Sequence, residues 1–424
     1  MKSTTVRERL EEHINTIQLI DTHEHVPDER VPCSRKLGLF DFFQHYVSSD
    51  LVSSGMSREA LESMRNPDNG LSLEQRWALL APHWPYVRMT GYGRALLEYM
   101  SDLFGIEDIT EDTYLELCRR INEARQPGWY RKVLKEKAGI DLALVITWPG
   151  QSVEVDREFF RAVPILDHYA IPGTRAELAN LEKQSDRAIQ TLDQLMAAQE
   201  ETLDRFVSQG IVAVKLFLAY RRTLFFDRVS KSEAARVFDR VWLSQTQDLS
   251  FADLKPLQDF MTRRLIGLAV ERGLPIQVHT GLQEGNGNYI ENSRPTLMTN
   301  LFMEFSDAKF DVFHAGYPYT GEVAVLAKYF QNVYANLCWV HAISPRTAAR
   351  TLDEWIETIP ANKILGVGGD SNYAEGAYGH CKIARRVTGD VLVRKVEEGY
   401  LKESEALWFA DRLLRENARA LYKL

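Results

Sequence analysis

Little in this chain would staple or anchor it. Among 424 residues there are only four cysteines, Cys33, Cys118, Cys338 and Cys381, and no two form a Cys-x-x-Cys pair. That scatter excludes a disulfide framework and a zinc–thiolate knuckle, and it fits a reduced compartment. No apolar run approaches the ~18 residues of a membrane span. The opening residues, Met1-Lys-Ser-Thr-Thr-Val-Arg-Glu-Arg-Leu, are charged and helix-like, unlike a signal peptide. The expected setting is cytoplasmic. An excess of positive charge is also missing. The net charge of −8 argues against nucleic acid or an anionic membrane as partner and leaves a small molecule. There is no fixed-period repeat, Walker loop or dinucleotide fingerprint. Ser344 and Ser371 lack the nucleophile-elbow context of a serine hydrolase.

What is present is a recurring pattern. Hydrophobic content of 45% and charged content of 26% are those of a globular protein. Short β-rich apolar runs fall at residues 18–23, 141–147, 163–167, 211–216, 275–279, 310–314, 333–337 and 364–370. Several are near-continuously apolar, as strands buried on both faces should be. Helical stretches lie between them, at 175–209, 251–272, 321–330, 344–358 and 406–422. Eight strands alternating with helices predict an α/β fold, the (β/α)8 barrel.

One gap is too long. About 115 residues separate the first two strands, where a βα unit needs only a few tens. Residues 28–137 read as helical and rich in aromatics, Trp77, Trp84, Tyr99 and Trp129 among them. We read them as a helical insertion over the catalytic end of a barrel built from 1–27 and 138–424; a separate helical domain is the alternative.

The chemistry gathers at the strand ends. The first strand closes on His23-Glu24-His25. Side chains at i and i+2 share a face, so the two imidazoles converge, with Glu24 turned away. Lys215 lies near the end of the fourth strand. His279, His314 and Asp370 end the fifth, sixth and eighth. One such residue is an ordinary polar group at a barrel rim. Five strand ends that agree in chemistry point to a metal site.

In that order and at those positions, the residues resemble the amidohydrolase superfamily of metal-dependent barrels. The run Val214-Lys-Leu-Phe-Leu-Ala-Tyr220 is similar to the strand-four motif of hydantoinases. The stretches His279-Thr-Gly and His314-Ala-Gly-Tyr-Pro-Tyr-Thr320 are similar to the amidohydrolase-2 branch with its nodulin/FluG-like members. The long insertion and Gly369-Asp-Ser-Asn, with Ala377-Tyr-Gly-His380, resemble uronate isomerase. That family does not as a rule use the strand-four lysine or the strand-six histidine. Their presence turns the expectation toward a hydrolase.

The resemblance implies one or two divalent ions held by His23, His25, His279, His314 and Asp370. Zn²⁺ is the default, with Mn²⁺, Fe²⁺ or Ni²⁺ as alternatives. Asp370 would move the proton of an attacking water, and His314 or His279 would bind metal or polarise the substrate carbonyl. Lys215 has three readings: a carbamate bridging two ions, an ammonium that pairs with a substrate carboxylate or with Asp370, or a buried ion pair without function. Tyr220 either donates to a developing oxyanion or simply packs. Arg221, or its neighbour Arg222, would select an acidic substrate. Trp148, His341 and His380 are further candidates for touching substrate, with Arg385 behind them. His13, His45, His83 and His168 read as structural. The glycines before Asp370 let the backbone approach the site. The leading expectation is hydrolysis of an amide-like, ester or lactone bond. The alternatives are a uronate-type isomerase and, further off, a decarboxylase. Pairing of copies through the insertion is expected only by analogy.

Overall fold

The computed structural model describes residues 5–30, 38–244 and 249–424. Eight strands appear where the sequence places them: β1 (Leu19–Glu24), β2 (Ile140–Thr147), β3 (Phe160–Pro164), β4 (Val214–Leu216), β5 (Ile276–Val278), β6 (Phe310–Val312), β7 (Val333–Asn336) and β8 (Ile364–Leu365). All pair in parallel, β1 to β3 in one ladder and β4 to β8 in a second. Two seams join the ladders. At one, Ile165 bridges to Lys215. At the other, Thr22 donates its amide to the Val367 carbonyl at 3.1 Å, and Asp370 donates to that of His23 at 2.8 Å. This is the expected (β/α)8 barrel.

Its interior is a packed core. Ile20, Leu144, Ile146, Val163, Ile165, Ala213 and Leu365 meet inside the ring, and the i, i+2 spacing of Leu144/Ile146 and Val163/Ile165 is the strand period. The terminal helix Asn417–Tyr422 closes the floor, with Ala418, Leu421 and Tyr422 in the same cluster. A polar layer lies above it. Gln277 donates to the Thr22 carbonyl at 3.1 Å and to the Tyr422 hydroxyl at 2.9 Å. The Tyr422 hydroxyl in turn donates to Asp311, as does Asn336 at 3.0 Å.

Between β1 and β2 the described residues include the helices Tyr46–Ser53, Arg58–Arg65, Leu73–Leu80, Gly91–Phe104 and Tyr114–Ala124. Ser57, Ser72 and Thr90 cap three of them, each accepting a first-turn amide. The buried side chains of this segment, such as Phe42, Trp84 and Tyr99, belong to one apolar cluster with barrel-helix residues such as Trp355 and Leu392. A side chain at Gly91 would run into the backbone of Ala342 and Ile343, so glycine lets this helix rest on the loop after β7.

Two helices differ from expectation. Residues 175–209 form not one helix but two, Arg175–Ser185 and Leu192–Ser208. Asp186 takes a left-handed conformation (φ 52°) that ends the first, and aspartate is one of the few residues besides glycine that tolerates it. Residues 406–422 are likewise divided, into Glu403–Asp411 and Asn417–Tyr422 around a wide turn at Arg412–Glu416.

Candidate active site

The site begins with a fault in β1. Asp21 pairs with Ala143 and Glu24 with Val145, three steps on one strand against two on the other. This bulge re-aims the strand end. His23 and His25 turn into the barrel mouth, where their Nε2 atoms lie 3.2 and 3.3 Å from the same oxygen, Asp370 Oδ1. One donor atom from each of the three residues lies within 4.8 Å of the others.

The backbone holds these groups. His25 donates its amide to the Ser371 carbonyl at 2.9 Å. Asp21 Oδ1 accepts from the amides of His23 (3.0 Å) and Gly369 (3.2 Å), and Glu24 Oε2 accepts from that of Ser371 (2.8 Å). Glu24 therefore does turn away from the cavity, and its carboxylate staples the end of the eighth strand. A Cβ at Gly369 would overlap Glu24 Oε1, which explains the glycine there.

A second pair lies beside the first. His279 donates from Nε2 to the Leu282 carbonyl at 3.1 Å, so its Nδ1 carries the lone pair. That Nδ1 is 3.0 Å from His314 Nε2. The rings of His23 and His314 are 5.8 Å apart. Lys215 is fully buried. Among the described residues its amine has no hydrogen-bond partner, and it sits 3.7 Å over the Phe313 ring.

These spacings suit metal ions. Two donors held about 2.1 Å from one ion lie roughly 3.0–3.5 Å apart. The contacts of His23 and His25 with Asp370 meet that condition, and so does the His279–His314 pair. An orphaned, buried amine next to both sets is the third sign, since an unpaired buried cation is costly.

Electrostatics keep the donors in ligand form. Burial, with the nearby Lys215, pushes His279 down to about 3 and His23 well below its usual value. Burial alone would raise Asp370. His45, His23 and His25 around it outweigh that and hold its carboxyl well below the usual range. Burial lowers Lys215 to about 8. At neutral pH the His23 and His279 imidazoles are uncharged and Asp370 is ionised.

A cavity of about 290 Å³ opens over these groups, at the small end of ligand pockets. Trp148 and Tyr220 line it. Trp148 stacks on His25 with centroids 5.7 Å apart. The Tyr220 hydroxyl accepts from the Glu284 amide at 2.9 Å. Other candidates lie elsewhere. Arg221 pairs with Glu177 at 2.8 Å on the surface, and Arg222 is locked in a buried pair with Asp259 at 2.5 Å, so neither serves the cavity. His341 and His380 are buried below it. Each gives a ring N–H to a backbone carbonyl after β8, that of Gly366 (2.8 Å) and of Gly369 (2.5 Å). They hold the Asp370 loop and do not line the cavity. Arg385 binds the carbonyls of Ile14, Ile17 and Ala138.

The reverse correction concerns His45, read from sequence as structural. It lines the cavity, with Nε2 3.8 Å from Asp370 Oδ1 and a strained φ of 60°. Burial lowers it to about 4. Arg65, Gln44, Glu284 and Asn372 also line the cavity unannounced. No spacing signals Arg65, Gln44 or Glu284, because the insertion and the loop after β5 bring them in from far along the chain; Asn372 follows Asp370 by two residues.

Comparison with known proteins agrees with this architecture. The model of the family described as amidohydrolase matches residues 187–365, a span that holds Lys215, His279 and His314. Protein fluG of Emericella nidulans is 26% identical over 230 residues, 52% of this chain and only 26% of that protein's own length. A uronate isomerase of Sphingopyxis alaskensis is 23% identical over 421 residues, covering 90% of this chain and 86% of the relative. The solved uronate isomerase of Thermotoga maritima superposes with a TM-score of 0.81 at 17% identity, covering 99% of this chain and 98% of that one.

Proposed function

We infer that the chain belongs to the amidohydrolase superfamily and, from that premise, propose that it is a metal-dependent hydrolase that cleaves an amide-like carbon–nitrogen bond, or an ester or lactone, of a small molecule. The observation that carries this reading is the second donor set. His279 Nδ1 and His314 Nε2, 3.0 Å apart, lie beside an unpartnered buried Lys215 amine. In a two-ion site both would be ligands; in a one-ion site one would hold the ion and the other polarise the substrate carbonyl.

His23, His25 and Asp370 would hold one divalent ion, and His279 and His314 a second. Zn²⁺ suits the mixed N/O donors; Mn²⁺, Fe²⁺ and Ni²⁺ are alternatives. Such ions polarise a carbonyl and acidify water. Lys215 would serve as a carbamate: the neutral amine's lone pair adds to the carbon of CO2, one C–O π bond opens onto oxygen, and the nitrogen's proton passes to water. The product is an anion that satisfies the orphaned position. Asp370 accepts the proton of the attacking water and returns it to the leaving nitrogen or oxygen. The Tyr220 hydroxyl, which accepts from the Glu284 amide and hydrogen-bonds with Tyr46, would donate to the oxyanion as charge grows there. The segment 28–137 acts as the cover of the site, bringing His45 and Arg65 to the cavity.

A second reading has a specific basis. The similarity to uronate isomerases extends over 90% of the chain, including the insertion. In that reading a proton moves between adjacent carbons, and His45 beside Asp370 is a natural carrier. Product mass separates the two. Acyl-amino acids, lactones and hexuronates are incubated with the metal-replete protein. A product heavier by one water, or its two fragments, supports the hydrolase. A product of unchanged mass overturns it in favour of the isomerase.

A further inference from the structure

The catalytic cavity carries two opposite charges that nothing else in the fold uses. Arg65, at the end of the insertion helix Arg58–Arg65, lines it, and so does Glu284 from the loop after β5. Other arginines of the insertion are engaged. Arg76 donates to the Met64 and Arg65 carbonyls, Arg88 pairs with Asp108 at 2.7 Å, and Arg125 pairs with Glu375 at 2.5 Å. The Arg65 guanidinium has no hydrogen bond or ion pair among the described residues, and neither has the Glu284 carboxylate. Both are half-buried. They are near enough to interact, since Arg65 offsets part of the rise that burial imposes on the Glu284 carboxyl.

We infer that Arg65 and Glu284 select the substrate: Arg65 takes a carboxylate, and Glu284 takes a hydrogen-bond donor close to it on the same molecule. The inference rests on the proposed function insofar as it takes this cavity as the substrate site. A guanidinium offers a planar fork of donors that matches a carboxylate in two bonds. A lone carboxylate is an acceptor only, so its partner must carry an N–H or O–H. The substrate is then a small carboxylic acid flanked by an amide N–H or a hydroxyl. Two sources share that chemistry, acylated amino acids and sugar acids. In either case the acid end is held by a residue of the insertion. The charge that recognises substrate and the groups that react with it belong to different parts of the chain.

Calorimetric binding to the metal-replete protein tests this without turnover. The probes are N-acetyl-L-alanine with its carboxamide, and D-glucuronate with D-glucose. In at least one pair the acid should bind about tenfold or more tightly than its neutral partner, the scale of a charge-assisted bond. The pair that responds names the source. Arg65→Gln should bring the ratio close to one, and Arg65→Lys should restore part of it. Glu284→Gln should weaken the acid while leaving the ratio. Equal binding of acid and neutral compound in both pairs overturns the inference, as does a ratio that survives Arg65→Gln, or acid binding unchanged in Glu284→Gln. Metal content and product mass, measured separately, report on the proposed reaction and leave this ratio independent.

Discussion

Asp370 gives its backbone amide to the carbonyl of His23, 2.8 Å away, while its side-chain oxygen faces the imidazole of the same residue at 3.2 Å. The first and last strands thus meet twice at one pair of residues. This bond, one of those that close the barrel, also sets the distance between two proposed ligands, which would link barrel closure to metal affinity.

Removing the ligands should therefore separate activity from fold. His23→Ala and Asp370→Ala lie at the mouth, above the apolar layer of Ile20, Leu144 and Val163. Both should keep native circular dichroism and a cooperative thermal transition. Turnover should fall by about 10²–10⁴-fold or more, and bound metal should drop. Turnover in a metal-replete Asp370→Ala protein would count against the mechanism.

Gly369→Ala tests the staple. The added methyl would meet Glu24 Oε1, inside a seam where nothing is loose. Overpacking of this kind costs about 1–3 kcal/mol. Denaturant titration should show that loss, and metal affinity should fall with it because Asp370 is the next residue. Glu24→Gln in the Gly369→Ala background should not recover the native value, since it leaves the side chain equally long.

Lys215→Met should change the metal count. Elemental analysis of the wild type should give two ions per chain and of the variant one, while intact mass should reveal the added CO2 only in the wild type. One ion in both proteins would remove the bridging role.

His45→Gln should behave unlike the ligand variants. His45 is 3.8 Å from Asp370, close enough to influence it. Metal content should be retained while turnover falls. Equal loss of metal in His45→Gln and His23→Ala would make His45 a ligand.

The buried carboxyl of Asp311 gives a pH signature. Burial raises it from 3.8 to about 7, against the lowering by Tyr422 and Asn336. A carboxyl raised in the folded state binds its proton more tightly there than in the unfolded chain. Its contribution to stability is full below about pH 4 and is lost as the pH rises through 7. Relative to Asp311→Asn, the wild type should therefore lose stability between pH 4 and 7, read from denaturation midpoints at fixed ionic strength. A difference that stays flat across that window contradicts the assignment.

Much of this was legible because it is local. Several barrel strands are short, mainly apolar runs, and at two of them a candidate residue follows within a step or two: His279 after Val278, His314 just beyond Val312. Burial on both faces writes the strand, and the barrel rule places its end. Other features were illegible because they depend on distant contacts. Asp186 interrupts a polar-faced helix with no proline or glycine to announce it. Arg221 looked well placed beside Tyr220, but Glu177 on a neighbouring helix captures it. His45 and Arg65 sit in a helical segment whose pattern speaks only of packing, and they reach the site through the way the insertion folds over the barrel.

The most direct test is anomalous scattering from crystals of the zinc-replete protein. The account predicts a peak about 2.0–2.2 Å from His23 Nε2, His25 Nε2 and Asp370 Oδ1, with a second between His279 Nδ1 and His314 Nε2. Replete crystals with no peak at the first position, or with the zinc bound elsewhere in the chain, would contradict it.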